Sequence, residues 1–363
     1  MIKRSRAVVS HRRRVLTTAI FFPTIIVLLG VSLVYSAAAG QMETTPSQVV
    51  GSLLHSMGLS WLDAPSHANA EAALWYVRFP RIVVGAIVGA GLGIAGVLLQ
   101  GVFSNPLAEP GIIGVSSGAA VGASAAIALG ASASTSYQGC GPWMVAVAAF
   151  IAGLCTTGFI YLASRRHGRS EVVTLILTGV ATNAMAGGMI SFLTFIASTA
   201  ARDQIVFWQM GSIAGASWTA AGIIGVVTIP VSLFVWIFAT PLDLLSLGEV
   251  QARHLGVNVE RLRGGVVVVV SLIVAVGVAF TGIISFVGLV VPHALRLIVG
   301  PGHRVLIPAS ALGGALTLTV ADVIARTAIQ GADLPLGMLT ALIGGPVFFY
   351  LLRRSRGQSG AWR

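Results

Sequence analysis

Residues 78–118 read RFPRIVVGAIVGAGLGIAGVLLQGVFSNPLAEPGIIGVSSG: two arginines, a glycine-laced apolar run, a polar turn bracketed by prolines, and the start of a second apolar run. The run from Ile82 to Phe103 matches the roughly 20 residues a helix needs to cross a bilayer core. Gly85, Gly89 and Gly93 recur every four residues, which predicts one small-residue face for close helix packing in lipid. Two short patterns in the stretch carry no chemistry. GLGIAG (91–96) matches the dinucleotide pattern GxGxxG, and GVSSG (114–118) matches the hydrolase pattern GxSxG. Both patterns need a preceding β-strand, and here each lies in or at the start of an apolar run.

The composition places the whole chain in the membrane. Of 363 residues, 56% are hydrophobic and 9% charged, with a mean hydropathy of +0.91, against roughly 25% charge in soluble domains. The net charge of +11 falls in short clusters between apolar runs. Loop charges that orient a membrane protein are distributed in this way, so no nucleic-acid partner is expected. Cys140 lies in a predicted loop and Cys155 in a predicted span, so no disulfide framework is implied. Lys3 is the single lysine beside 21 arginines. A P-loop ATPase needs a lysine after its glycine-rich loop, so this chain is not expected to hydrolyse ATP through a Walker motif, and if it is energised by ATP a separate subunit supplies it.

The pattern predicts an all-α polytopic protein with ten transmembrane helices, at about 16–35, 82–103, 112–131, 143–164, 172–198, 219–240, 264–281, 283–299, 306–326 and 334–352. The domain organisation expected is a basic cytoplasmic N-terminus (1–14), a ten-helix transmembrane domain (15–352) and a cytoplasmic tail (353–363). The first apolar run exceeds the h-region of a signal peptide, which favours an uncleaved helix. Residues 40–77 form a polar segment whose Trp61, Trp75 and Tyr76 suit a membrane interface. With both termini cytoplasmic, 18 of the 22 basic residues fall on the inner side, as the positive-inside rule requires. The four exceptions are Arg78, Arg81, Arg202 and Arg326.

Three of these exceptions sit at helix ends. Their guanidinium groups could reach lipid phosphate or cap helix carbonyls, or they could offer bidentate sites to a partner's carboxylates. Arg202, beside Asp203, is expected in a solvated loop. Asp322 is an intramembrane carboxylate, open to an i,i+4 pair with Arg326 or to a proton- or substrate-linked role. His293 is expected to be a hydrogen-bonded structural residue rather than a metal ligand. The segment 241–263 (PLDLLSLGEVQARHLGVNVERLR) reads as two short amphipathic helices with glycine breaks, either lying on headgroups or inserting into a cytoplasmic partner.

Several segments together resemble the FecCD family of permeases of type II ABC importers for iron–siderophore complexes, haem and vitamin B12. They are RFPR (78–81), NPLAEPGIIGVSSGA (105–119), LGEVQARHLGV (247–257), FVGLVVPHALRL (286–297), HRVLIP (303–308), ADVIAR (321–326) and ADLPLGMLTALIGGPVFFYLL (332–352). The resemblance implies a homodimer of ten-helix subunits in the cytoplasmic membrane, two ABC ATPase subunits beneath it, and an external binding protein. It also implies that Arg78, Arg81 and Arg326 pair with acidic residues of that binding protein. ATPase coupling is implied for Leu247, Gly248, Glu249, Ala252, Arg253, Leu255 and Gly256, and a cytoplasmic gate for Asn105 and Leu107. The stretch SEVVT (170–174) stays unassigned. FWQMGSIAGASW (207–218) is similar to haem permeases, so haem ranks first as substrate, a ferric siderophore second and cobalamin third. No cofactor is expected to be bound permanently and no metal site is expected. A rival class, a proton-driven secondary transporter, would run through Asp322.

Overall fold

The computed structural model describes residues 2–40, 44–130, 141–166, 169–329 and 331–356; Cys140 and the end of the expected tail, 357–363, lie outside the described residues. Each expected apolar run becomes a helix. In chain order these are α1 (Ile2–Ala38), the short α2 (Pro46–Ser56) and α3 (Ala68–Ala73), α4 (Phe79–Val102), α5 (Val115–Gly130), α6 (Gly141–Ala163), α7 (Val172–Ile196) and α8 (Thr199–Met210). There follow α9 (Trp218–Phe234), α10 (Ala239–Leu245), α11 (Glu249–His254), α12 (Val259–Thr281), α13 (Val287–Val299), α14 (His303–Thr327) and α15 (Leu336–Arg356). Among the described residues, seven helical stretches are long and apolar enough to cross a membrane, and α5, α13 and α15 are shorter apolar helices. Among the described residues the only strand pairing is a two-residue antiparallel step, Arg165–Arg166 against Arg169–Ser170.

α4 is the axis of the bundle, buried along nearly its whole length, with α12 beside it. The glycine stripe predicted from sequence is what admits its neighbours. A Cβ at Gly89 or Gly93 would fall on the carbonyl oxygen of Gly314 or Ser310 in α14, and one at Gly96 on that of Gly288 in α13. Backbone-to-backbone approach of this kind maximises van der Waals contact where lipid supplies no hydrophobic drive between helices. It also sets α14 antiparallel to α4, so that the last turn of α14 meets the first turn of α4.

Several boundaries differ from the sequence expectation. The coupling segment ends earlier, because Asn258 caps α12 by accepting from the Arg261 backbone N–H at 3.0 Å and Glu260 adds negative charge to its first turn. Arg261 and Arg263 therefore lie in α12, not in a loop. At the other end of the chain Arg353 and Arg356, expected in the tail, still belong to α15. Arg202 is not in a solvated loop: Ser198 caps α8, and Arg202 donates to the carbonyls of Ala197 and Phe195 at 3.0 Å each, satisfying the open end of α7. α5 and α13 start later than expected. A 3-10 turn (Pro110–Ile113) closed by left-handed Gly114 precedes α5, and an extended 282–286 segment ending at Phe286 with φ +67° precedes α13.

Candidate functional site

At one end of the bundle a π turn (Leu74–Arg78) runs on into α4, and Pro80 sits in the first turn of α4 just after it. Arg78 and Arg81, three apart, share one side there. α14 ends beside them, and its Asp322 is almost fully buried, at 2% exposure. Arg81 Nε donates to Asp322 Oδ1 at 2.9 Å, and Arg326 Nε lies 3.1 Å from Asp322 Oδ2. Arg81 Nη1 also donates to Asp333 Oδ2 at 2.6 Å. The i,i+4 pairing expected of Asp322 is thus present, extended across the bundle to Arg81.

The remaining donors of these arginines turn to α1. Arg78 Nη1 donates to the carbonyls of Ala37 at 2.7 Å and Ala38 at 3.2 Å, and to Thr44 Oγ1. Arg326 donates to the carbonyls of Ser36 at 2.9 Å and Ala39 at 3.0 Å. A helix leaves its last carbonyls without intrahelical partners and its C-terminus partially negative, and α1 has no basic residue in its own last turn. The arginines of α4 and α14 supply what it lacks. The three guanidinium groups are therefore gathered but inward-turned: Arg78 and Arg326 cap carbonyls at the end of α1, and Arg81 is held by the two carboxylates. Asp333 is the member of this cluster that sequence reasoning missed. It lies in the quoted segment 332–352, but nothing in that segment marks it as a partner of Arg81, and only the return of α14 along α4 brings the two together.

At the other end, the turn after α4 carries the expected gate residues. Asn105 Oδ1 accepts from the Leu107 backbone N–H at 2.9 Å, a local turn of the kind asparagine favours, and Leu107 is left exposed. Sequence reasoning passed over a polar network nearby. Gln100 donates to the Leu289 carbonyl at 3.1 Å and accepts from Arg296 at 3.4 Å. His303, at the start of α14, lies 2.6 Å from Asp243 of α10. His293 departs from expectation: it is buried, and neither ring nitrogen has a hydrogen-bond partner among the described residues.

The coupling segment has the expected form, with glycine breaks at Gly248 (φ +112°) and Gly256 (φ +88°) on either side of α11. Its residues divide by role. Ala252 is fully buried and anchors α11, while Leu247, Val250 and Leu255 are exposed apolar side chains. Glu249 joins α11 to α12, accepting from Arg253 at 2.8 Å and from Arg263 at 2.7 Å. Partial burial pushes the Glu249 carboxyl upward, but the hydrogen bonds from Arg253 and Arg263 outweigh it, and the group titrates below its ordinary range. A depressed carboxylate stabilises the fold above its unfolded value of about 4.3 and loses that contribution as pH falls through the folded value. Glu249→Gln should therefore cost the same stability at pH 7.5 as at pH 5.5 in thermal unfolding. A cost that vanished by pH 5.5 would contradict the clamp.

Between the ends lies a cavity of about 280 Å³, lined by Glu109, Ser116, Ser117, Asn183, Gln209 and Ser285 among others. Ser117, which follows the pattern serine Ser116, donates from Oγ to Asn183 Oδ1 at 2.6 Å, and Asn183 donates to the Gly111 carbonyl at 3.1 Å. α7 turns Asn183, Gly187 and Ile190 to this cavity and carries Met185, Met189, Phe192 and Ile196, all more than half exposed, on its opposite face. Their spacing of four, three and four residues puts them on one helical face.

A model of the FecCD transport family matches residues 27–354. The hemin transport system permease protein HmuU of Yersinia pestis is 36% identical over 80% of this chain and 87% of its own length. The vitamin B12 import system permease protein BtuC of Klebsiella pneumoniae is 36% identical over 91% and 92%. The cobalamin import system permease protein BtuC of Halobacterium salinarum is 43% identical over 78% and 74%. Among solved structures, an inward-facing metal-chelate type ABC transporter aligns over 93% of this chain and 99% of its own, with a TM-score of 0.80 and 32% identity.

Proposed function

We propose, from the premise that this chain belongs to the FecCD transport family, that it carries haem across the cytoplasmic membrane. As a member of that family it is a multi-pass permease of an ABC importer that works with a binding protein, and ATP is hydrolysed by a separate ATPase subunit. The proposal concerns the substrate and the division of labour among the residues. The observation that carries the substrate is the face of α7. Met185, Met189, Phe192 and Ile196 form an exposed apolar stripe on a helix without a charged residue. Such a face suits a flat, apolar macrocycle, because ligand sites are mainly apolar with few orienting polar groups. In a homodimer two such faces would enclose the path. Cobalamin is the second reading, favoured by the 43% identity to a cobalamin permease.

In this reading both termini are cytoplasmic and the arginine end faces outward. The external binding protein docks at Arg78, Arg81 and Arg326 through its carboxylates. Two ATPase subunits take the exposed apolar residues Leu247 and Leu255 of the coupling segment, with Gly248, Glu249, Ala252, Arg253 and Gly256 shaping it. Asn105 and Leu107 close the cytoplasmic side. The permease, its ATPase and its binding protein, reconstituted in liposomes, should accumulate haem in the presence of ATP, and ferric siderophores or cobalamin at no more than a small fraction of that rate. Cobalamin or siderophore uptake exceeding haem uptake would overturn the assignment.

A further inference from the structure

The arginine cluster holds two carboxylates of different character. Asp322 is 3% exposed at its side chain and touches Arg81 and Arg326 together. Asp333 is 42% exposed and, among the described residues, pairs with Arg81, at 2.6 Å. Asp333 sits in the connection between α14 and α15, two residues after Gly331, whose φ of +81° marks a turn, and the Leu334 backbone N–H is fastened to the Ala325 carbonyl at 3.0 Å. The connection therefore offers one solvent-reachable carboxylate to the outermost donor of a buried arginine. Arg81 would not lose its only anion if Asp333 left, because Asp322 holds its Nε from within.

We propose that Asp333 is an internal stand-in for the docking protein's carboxylate. It holds Arg81 Nη1 in the undocked permease and is displaced when a partner carboxylate takes the same donor. The proposal rests on the docking reading given above and adds its regulation. Chemically the exchange replaces one guanidinium–carboxylate pair by another, so the internal pair is a competitor that lowers the apparent affinity of docking. The buried Asp322 keeps the guanidinium aimed through the exchange. Among the described residues, the carboxylates in contact with Arg81 and Arg326 are Asp322 and Asp333, and displacement of Asp333 leaves Arg81 Nη1 open to a partner's carboxylate.

The test measures binding of the importer's own binding protein to the permease–ATPase complex in nanodiscs. Asp333→Asn and, independently, Asp333→Ser should bind about fivefold more tightly than wild type, the size of a partly exposed ion pair. Asp333→Glu should stay near wild type. Arg81→Ala should bind more weakly, and in that background Asp333→Asn should have no further effect, since the donor competed for is gone. If Arg81→Ala weakens docking while both neutral variants of Asp333 leave it unchanged, the stand-in is overturned and the docking reading stands. If Arg81→Ala docks like wild type, both fail together.

Discussion

Asp322→Ala is expected to lower the stability of the assembled permease by about 3–5 kcal/mol, the usual cost of removing one partner from a buried ion pair. The loss should fall mainly on Arg326. Arg81 would keep Asp333 at 2.6 Å, whereas Arg326 has Asp322 as its carboxylate at 3.1 Å and otherwise donates to neutral carbonyl and hydroxyl oxygens of α1. Thermal unfolding in detergent should show the drop, and the double variant Asp322→Ala with Arg326→Leu should recover part of it. Asp322→Ala melting at the wild-type temperature would remove the ion-pair account. A proton-carrying role makes a different forecast, with transport lost and stability kept.

The second large effect is steric. Gly93→Leu should cost at least about 3 kcal/mol, the upper end of core overpacking. Even the first carbon of the new side chain would fall on the Ser310 carbonyl oxygen of α14, and rotamer changes cannot relieve a clash at Cβ. α4 and α14 would have to separate, loosening the arginine cluster at one end. Gly158→Leu in α6, where an added Cβ meets nothing within 4 Å, serves as the control and should melt within a degree or two of wild type. Equal melting of the two variants would show that the close helix contact is not what holds the bundle.

Much of the fold was legible because lipid imposes simple constraints. A span needs its length of apolar residues and satisfies its backbone internally, so each expected run became a helix. The boundaries slipped where capping side chains rather than hydropathy end a helix. Asn258 starts α12 inside a charged stretch, and Ser198 starts α8 where charge alone suggested a loop. The candidate site was half legible. Arg78, Arg81 and Arg326 stood out because they break the charge rule, and Gly248 and Gly256 because they interrupt an amphipathic pattern. Gln100, Asp243, Arg296, His303 and Asp333 gave no such signal, since each is unremarkable among its sequence neighbours and gains its role only from a residue on another helix.

By itself, then, the sequence determined a polytopic helical membrane protein without a Walker lysine, which of its arginines break the charge rule in the expected topology, and which glycines face a neighbouring helix. These properties follow from composition and one-dimensional spacing. Only the tertiary structure decided that Arg78 and Arg326 cap the last carbonyls of α1, that Asp322 is shared between Arg81 and Arg326 across 241 residues of chain, and that Asp333 completes the cluster. An ion pair at that separation depends on α4 and α14 running antiparallel in backbone contact, and no local pattern in either helix encodes which side chain the other will bring opposite.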